Sequence, residues 1–209
     1  MIVKWMPVVC AAVCTLAFMV CQADEATAVN PEKTTGGFTG PSVPALTPIL
    51  GDYVNIGVRT KENRTDIPKL MGMLKEMGAQ DYMHLVWNEK QYPGAWQDFQ
   101  VMAPEFQKAD INLWLYLTPP SEGVPEPFGE DYVKWAVECA QLAKQFPVIK
   151  GLCMDDFNGN VAKFTPAYCR EMMDAAHAIA PHLAFLVVCY YGYQNTIAAH
   201  VEEGAIDGV

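Results

Sequence analysis

The sequence predicts an α/β protein, a (β/α)8 barrel of the TIM type that is incomplete in this chain, and three observations carry that expectation. From Asp52 onward, β-rich runs alternate with segments of helical periodicity, and successive runs begin roughly every thirty residues, the span of one βαβ unit. No Gly-x-Gly-x-x-Gly follows the first run and no Walker-type loop occurs, so a dinucleotide-binding doubly wound sheet has no support. The residues that follow each run are rich in carboxylates and aromatics, and a barrel carries its chemistry at the C-terminal ends of its strands.

The elements follow in order. Tyr53–Val58 reads as a first strand. Thr65-Asp66 then starts a helix, with Ile67, Leu70, Met71, Leu74 and Met77 at helical spacing and Gly78 at its end. Tyr82–Trp87 reads as a second strand. The segment from about Ala95 to Ala109 is helical in composition, with Pro104 expected to open a new first turn. Ile111–Leu117 is the third strand, closed by Pro119-Pro120. The next helix carries Trp135, Ala136, Cys139, Leu142, Ala143 and Phe146 on one face and stops at Pro147. Ile149–Met154 is the fourth strand, and Thr165-Pro166 starts a helix that Pro181 ends. Leu183–Cys189 is a near-continuous apolar run, as in a parallel strand covered on both faces. A short helix over Thr196–Glu203 leads into Ile206–Val209, a sixth strand. An eight-unit barrel takes about 250 residues, so the expectation for residues 51–209 is a barrel truncated after that strand.

The preceding residues differ in character. Lys4 stands ahead of an apolar run from Val8 to Val20, and no charge follows before Asp24, the pattern of a secretory signal over residues 1–23. Cys21-Gln22-Ala23 is the expected cleavage site, with Ala26-Thr27-Ala28 as the alternative. The run is short for a membrane span, and Val20 sits where a lipid-anchoring site wants a small residue, so a secreted or periplasmic protein is expected. Residues 24–50, rich in Gly, Pro, Ser and Thr, read as a linker.

Composition narrows the partners. The 209 residues are 51% hydrophobic and 18% charged, which suits a folded core rather than disorder. The net charge of −10 argues against nucleic acid and against an anionic membrane, because both need clustered Lys and Arg. Signal cleavage would leave 13 basic against 24 acidic residues, or −11. Neutral, polyhydroxylated ligands stay open. Cys139, Cys153, Cys169 and Cys189 show no metal-ligand spacing and are expected as buried thiols. Neither a metal nor a cofactor is expected. The sequence leaves the oligomeric state open.

The strand ends supply the candidate site. They are Arg59 after the first strand, Trp87 and Asn88 after the second, Tyr116 at the end of the third, Asp155 and Asp156 after the fourth, and Tyr190 and Tyr191 after the fifth. Carboxylates can donate and accept protons at a glycosidic bond, and aromatic faces stack on sugar rings. Adjacent strand residues point to opposite faces, so Asp155 and Asp156 share one pocket only if the strand ends between them. Two close carboxylates raise one another's proton affinity, which suits one of them to general acid work. His84, within the second strand, is expected as a packed core histidine.

The segment Leu152-Cys153-Met154-Asp155-Asp156-Phe157, with Asn160 shortly after, resembles the strand-four segment of the O-GlcNAcase-like glycoside hydrolases, barrel enzymes that use substrate assistance on N-acetylhexosamines. The resemblance implies that Asp155 orients the acetamido group, that Asp156 is acid and then base, and that Asn160 contacts the sugar. The Gly-Phe-Tyr-Gly-like opening of that family is replaced here by Asn55-Ile56-Gly57-Val58-Arg59-Thr60. The expectation is an exported, glycoside-hydrolase-like protein acting on carbohydrate. The alternative is a non-catalytic carbohydrate-binding or interaction module on the same scaffold.

Overall fold

Local signals place the helices. The Asp66 side chain accepts a hydrogen bond from the Lys69 amide at 3.2 Å, Asp131 does the same for Lys134 at 3.0 Å, and Thr165 for Tyr168 at 3.2 Å. Each satisfies an orphan N–H of a first turn. Gly78 closes the first helix in the left-handed region, φ 71°, where a side chain would strain the backbone.

The computed structural model describes residues 51–52 and 58–209, which belong to one unit, Ala45–Val209. The expected signal and linker, and all of the expected first strand except Val58, lie outside the described residues. The elements run β1 (Gly51–Asp52), α1 (Ile67–Met77), β2 (Asp81–Val86), α2 (Ala95–Ala109), β3 (Asn112–Leu117), α3 (Tyr132–Gln145), β4 (Ile149–Met154), α4 (Pro166–His177), β5 (Ala184–Val187) and α5 (Ala198–Glu202).

All five strands are parallel and their spatial order is their chain order. Register runs from Asp81↔Asn112 to Val86↔Leu117 between β2 and β3, and slips once between β3 and β4, where Trp114 faces Gly151. The order never reverses, as it does in a doubly wound sheet. Right-handed crossovers that all step the same way put the helices on one face. Of the strand expected over Ile206–Val209 only an isolated bridge forms beyond β5: Gly208 bridges Leu186 in parallel, and Asp207 Oδ2 accepts the Phe185 amide at 2.7 Å.

The core lies between sheet and helices. Tyr82, His84, Val86, Leu113, Leu115, Leu117, Leu152, Met154, Phe185 and Val187 are buried there. Tyr82 meets Phe106 of α2 at 5.7 Å between ring centroids. His84 is a core residue: its Nε2 donates to the Ala95 carbonyl at 3.1 Å, and burial pushes its pKa down to about 4. It is therefore neutral at physiological pH. Cys139, Cys153 and Cys169 are buried free thiols and Cys189 is half-buried.

Two further expectations change. Coverage of the 183–189 run on both faces is not met: Ala184 and Leu186 are half-buried while Phe185 and Val187 are buried, because the helices pack on one side only. Pro104 does not open a new turn, and α2 runs through it unbroken. A proline inside a helix removes one hydrogen bond and crowds the carbonyl four residues back, at a cost of about 3 kcal/mol. Phe99 and Met102 before it and Phe106 after it are fully buried, so a break would expose more than it relieves.

It follows that Pro104→Ala should stabilise the protein by about 2 kcal/mol, the relieved helix cost less the unfolded-state rigidity that proline supplies. Urea unfolding should show a higher midpoint at an unchanged slope; an unchanged or lower midpoint would mean that the helix bears no such strain.

Candidate active site

β4 ends abruptly, and that end builds the site. The Asp155 amide still donates to Leu117 on β3 at 2.9 Å, and the Phe157 amide donates to Val188 beyond β5 at 3.0 Å. Between them Asp156 takes a left-handed conformation, φ 38° and ψ 37°. Asparagine and aspartate tolerate that region better than other side chains. Two hydrogen bonds hold it: Asp155 Oδ1 accepts the Asp156 amide at 2.9 Å, and Asn160 Nδ2 donates to the Asp156 carbonyl at 2.9 Å. The strand therefore stops between the two acids, the condition under which both can serve one pocket.

A third acid, which the sequence reading missed, completes the group. Glu122 sits on the 3₁₀ turn Pro120–Glu122 after β3. Its carboxyl is pushed up to about 8, chiefly by desolvation, then by its hydrogen bond to the Asp156 side chain and by the negative charge of Asp155 and Asp156. Glu122 thus carries a proton at neutral pH beside two strand-end carboxylates. Asp156 Oδ1 is buried and has no hydrogen-bond partner among the described residues. The Tyr190 hydroxyl also bonds to Asp156, and its pKa is raised by that contact.

The loop that bears Glu122 is held from both sides. Trp87 Nε1 donates to the Glu122 carbonyl at 2.9 Å, and Thr118 Oγ1 donates to the Gly123 carbonyl at 2.8 Å. Gly123 has φ 106°, and a Cβ there would lie 2.9 Å from Trp87 Nε1, so only glycine lets the loop lie against the indole. Asn160 Nδ2 also donates to Ser121 Oγ at 2.8 Å, tying the β3 and β4 loops together.

The other sequence candidates fall in different places. Tyr190 joins the carboxylates. Asn160 is buried, with its amide donors directed to Ser121 and the Asp156 carbonyl. Tyr116 is buried within β3, level with Cys153. Tyr191 is 99% exposed, at the rim of the strand-end face. Asn88 accepts from the Gln91 amide at 3.1 Å and shapes the turn after β2. Arg59 lies apart from the acids, in a cleft of about 300 Å³ lined by Arg59, Asn63, Trp87, Gln91 and Tyr92. Trp87 belongs to both regions. The signal for Glu122 was present, an acid five residues past the last strand residue, but it followed a Pro-Pro pair that reads only as a terminator.

The raised Glu122 pKa has a consequence for stability. The unfolded chain ionises Glu122 near pH 4.5 and the folded chain near pH 8, so folding binds a proton in between and stability from this group falls as pH rises across that window. Glu122→Gln should remove the fall: its urea midpoint should match the parent near pH 4 and exceed it increasingly up to pH 8. The gap should be small, because solvent screens a group this open. Parallel curves for the two proteins would show that Glu122 titrates as an ordinary carboxyl.

No family model matches the chain, and no curated protein matches it. Solved structures similar to part of it include the catalytic domain of the major endoglucanase from Xanthomonas campestris pv. campestris, at 14% identity and TM-score 0.44, over 66% of this chain and 51% of that one. A bacterial fucosidase is similar at 14% identity and TM-score 0.42, over 59% and 34%. Hydroxymethylglutaryl-CoA lyase from Pseudomonas aeruginosa is similar at 14% identity and TM-score 0.46, over 68% and 48%. The chain spans about half of the endoglucanase domain and of the lyase and a third of the fucosidase, and likenesses of this grade assign neither activity nor substrate.

Proposed function

We propose that the protein is a glycoside-hydrolase-like enzyme on a barrel-type scaffold, acting on carbohydrate through an acid/base centre made of Glu122, Asp155 and Asp156. The observation that carries the reading is the gathering of three carboxyl groups, Glu122 after β3 and Asp155 and Asp156 after β4, at the ends of neighbouring parallel strands, where their mutual contact pushes Glu122 toward its protonated form. Hydrolysis of a glycosidic bond needs that combination: an acid that is still protonated at neutral pH and a carboxylate able to accept a proton.

In the proposed step the glycosidic C–O bond breaks as the leaving oxygen takes the Glu122 proton, and a water molecule forms the new bond to the anomeric carbon. The proton of that water passes to the Asp155/Asp156 pair. Asp156 bonds to the Glu122 carboxyl, and Tyr190 bonds in turn to Asp156. Trp87, Tyr190 and the exposed Tyr191 offer ring faces to the sugar. The finer reading drawn from the family resemblance assigns the roles differently: in substrate assistance on N-acetylhexosaminides Asp155 would orient the acetamido group, and Asp156 rather than Glu122 would be acid and then base. Export to a secreted or periplasmic location is part of the proposal and rests on the sequence of residues 1–23 alone.

A panel of aryl glycosides that includes N-acetylhexosaminides tests the reading. Turnover should fall by about 10²–10⁴-fold in Glu122→Gln and in Asp156→Asn, with folding preserved. Activity of the parent should decline above about pH 8 as Glu122 loses its proton. If the parent turns over nothing, yet binds glycans equally well as Asp155→Asn and Asp156→Asn, the protein is a non-catalytic carbohydrate-binding module and the enzyme reading fails.

A further inference from the structure

We infer that Asn160 is the positioning residue of the acid/base centre: its side-chain amide clamps the loop of Glu122 to the turn of Asp156 and so fixes the contact between the two carboxyls. This rests on the reading above and deepens it by naming what holds the acids together. The first observation is where the hydrogens of one amide go. Asn160 Nδ2 donates to Ser121 Oγ at 2.8 Å and to the Asp156 carbonyl at 2.9 Å. Ser121 is the chain neighbour of Glu122, so the two acceptors belong to the two segments that carry the interacting acids. A carbonyl only accepts, so the nitrogen of the amide must face it, and the orientation of the side chain is fixed. Both donors are used inside the protein, which leaves neither for a sugar.

The second observation is that Asn160 is itself a fixed post. It is only 8% exposed. Its backbone amide donates to the Phe157 carbonyl at 2.9 Å, and its carbonyl accepts the amides of Lys163 and Phe164 at 2.9 and 3.0 Å. Phe157 and Phe164 are fully buried and stack at 5.5 Å, and Phe157 meets Phe185 of β5 at 6.1 Å. A side chain hung from this close-packed stack is held by the core and not by the loops it joins.

The third observation concerns the other bonds around the acids. Trp87 and Thr118 hold the Glu122 loop through the Glu122 and Gly123 carbonyls, which ties it to the β2 and β3 side and not to the turn after β4. The groups that titrate against Glu122 are Asp155 and Asp156 from the end of β4 and Tyr190 from beyond β5. Glu126, further along the same loop, accepts the Glu89 amide at 3.1 Å, and Glu89 accepts the Gly94 amide at 2.7 Å. Once Glu122 has given up its proton, every one of these carboxylates repels it. The amide of Asn160 and the hydroxyl of Ser121 do not titrate, so their bond lasts through the ionised state. The clamp therefore keeps Glu122 where it can be protonated again.

NMR titration of the full chain, isotope-labelled at its glutamate side-chain carboxyls, tests the inference, with the Glu122 signal assigned by its loss in Glu122→Gln. In the parent that signal should titrate at about pH 8. Ser121 is exposed, and Ser121→Ala should lower the midpoint by about one pH unit as the loops part and water reaches the carboxyl. Asn160→Leu, close in size and without donors, should lower it at least as far. The double variant should match Asn160→Leu alone, because both changes cut the same bond, whereas two unrelated losses of structure would add. Should Asn160→Leu fail to fold, Ser121→Ala at the surface carries the test. Glycoside turnover by Ser121→Ala should decline at a correspondingly lower pH than turnover by the parent. An unmoved midpoint in folded Ser121→Ala overturns the inference, as do additive shifts in the double variant. A parent that turns over no glycoside sinks the enzyme reading alone, since the carboxyl titration reads the clamp without any substrate.

Discussion

β4 stays hydrogen-bonded on both flanks up to the residue where it stops, and the C-terminal edge of the sheet is organised around that stop. Its last amides reach β3 through Asp155 and the end of β5 through Phe157, with Asp156 turned into the left-handed region between them. A left-handed residue other than glycine costs about 1–2 kcal/mol, and two local hydrogen bonds offset it here. Without the turn at Asp156, the alternation of a strand would send the two carboxylates to opposite faces. The strain and the site are therefore the same feature.

Crowded acids are stabilised in two different ways in this chain. Asp98, buried in α2, is compensated by two arginines and a backbone amide. Among the described residues no cation pairs with Glu122, which is instead compensated by keeping a proton, with Asp156 as acceptor. The contrast matters for chemistry. An acid neutralised by counterions is a structural post, while an acid neutralised by a proton can give that proton up. A protein with a net charge of −10 has few cations to place, and it places two of them at Asp98.

Much of the scaffold was legible in the sequence because it depends on local chemistry. Asp66, Thr165, Gly78 and Pro147 mark helix boundaries by capping and by refusing to continue, and Ile149–Met154 was read to the residue because an apolar run between Pro147 and Asp155 has only one extended solution. Pro104 misled because its cost is local while the burial that overrides it is tertiary. In the site, Asp155, Asp156 and Tyr190 were legible from strand-end position alone. Glu122 was not, since a 3₁₀ turn after two prolines has no periodicity, and its role comes from Trp87 and Asp156, thirty-five and thirty-four residues away in the chain. Arg59 was singled out as a strand-end residue, but its pairing with Asp98 and its cleft are long-range facts.

The sequential order of the sheet turns chain order into a spatial axis. Residues that end β2, β3, β4 and β5 lie side by side along one edge in that order, about 4.8 Å per strand. Trp87 after β2 and the Asp155–Asp156 pair after β4 are two steps apart, about 10 Å, with Glu122 between them. A ligand that touched both would run across the strands, with one end against the aromatic wall and the other near the acids. Trp87 is the element that makes these one surface: its ring faces Tyr92 in the cleft while its Nε1 fixes the backbone of Glu122. Any movement of the indole on binding would be passed to the acid through a single hydrogen bond, and Gly123, pressed against the same ring, leaves the loop little room to move independently.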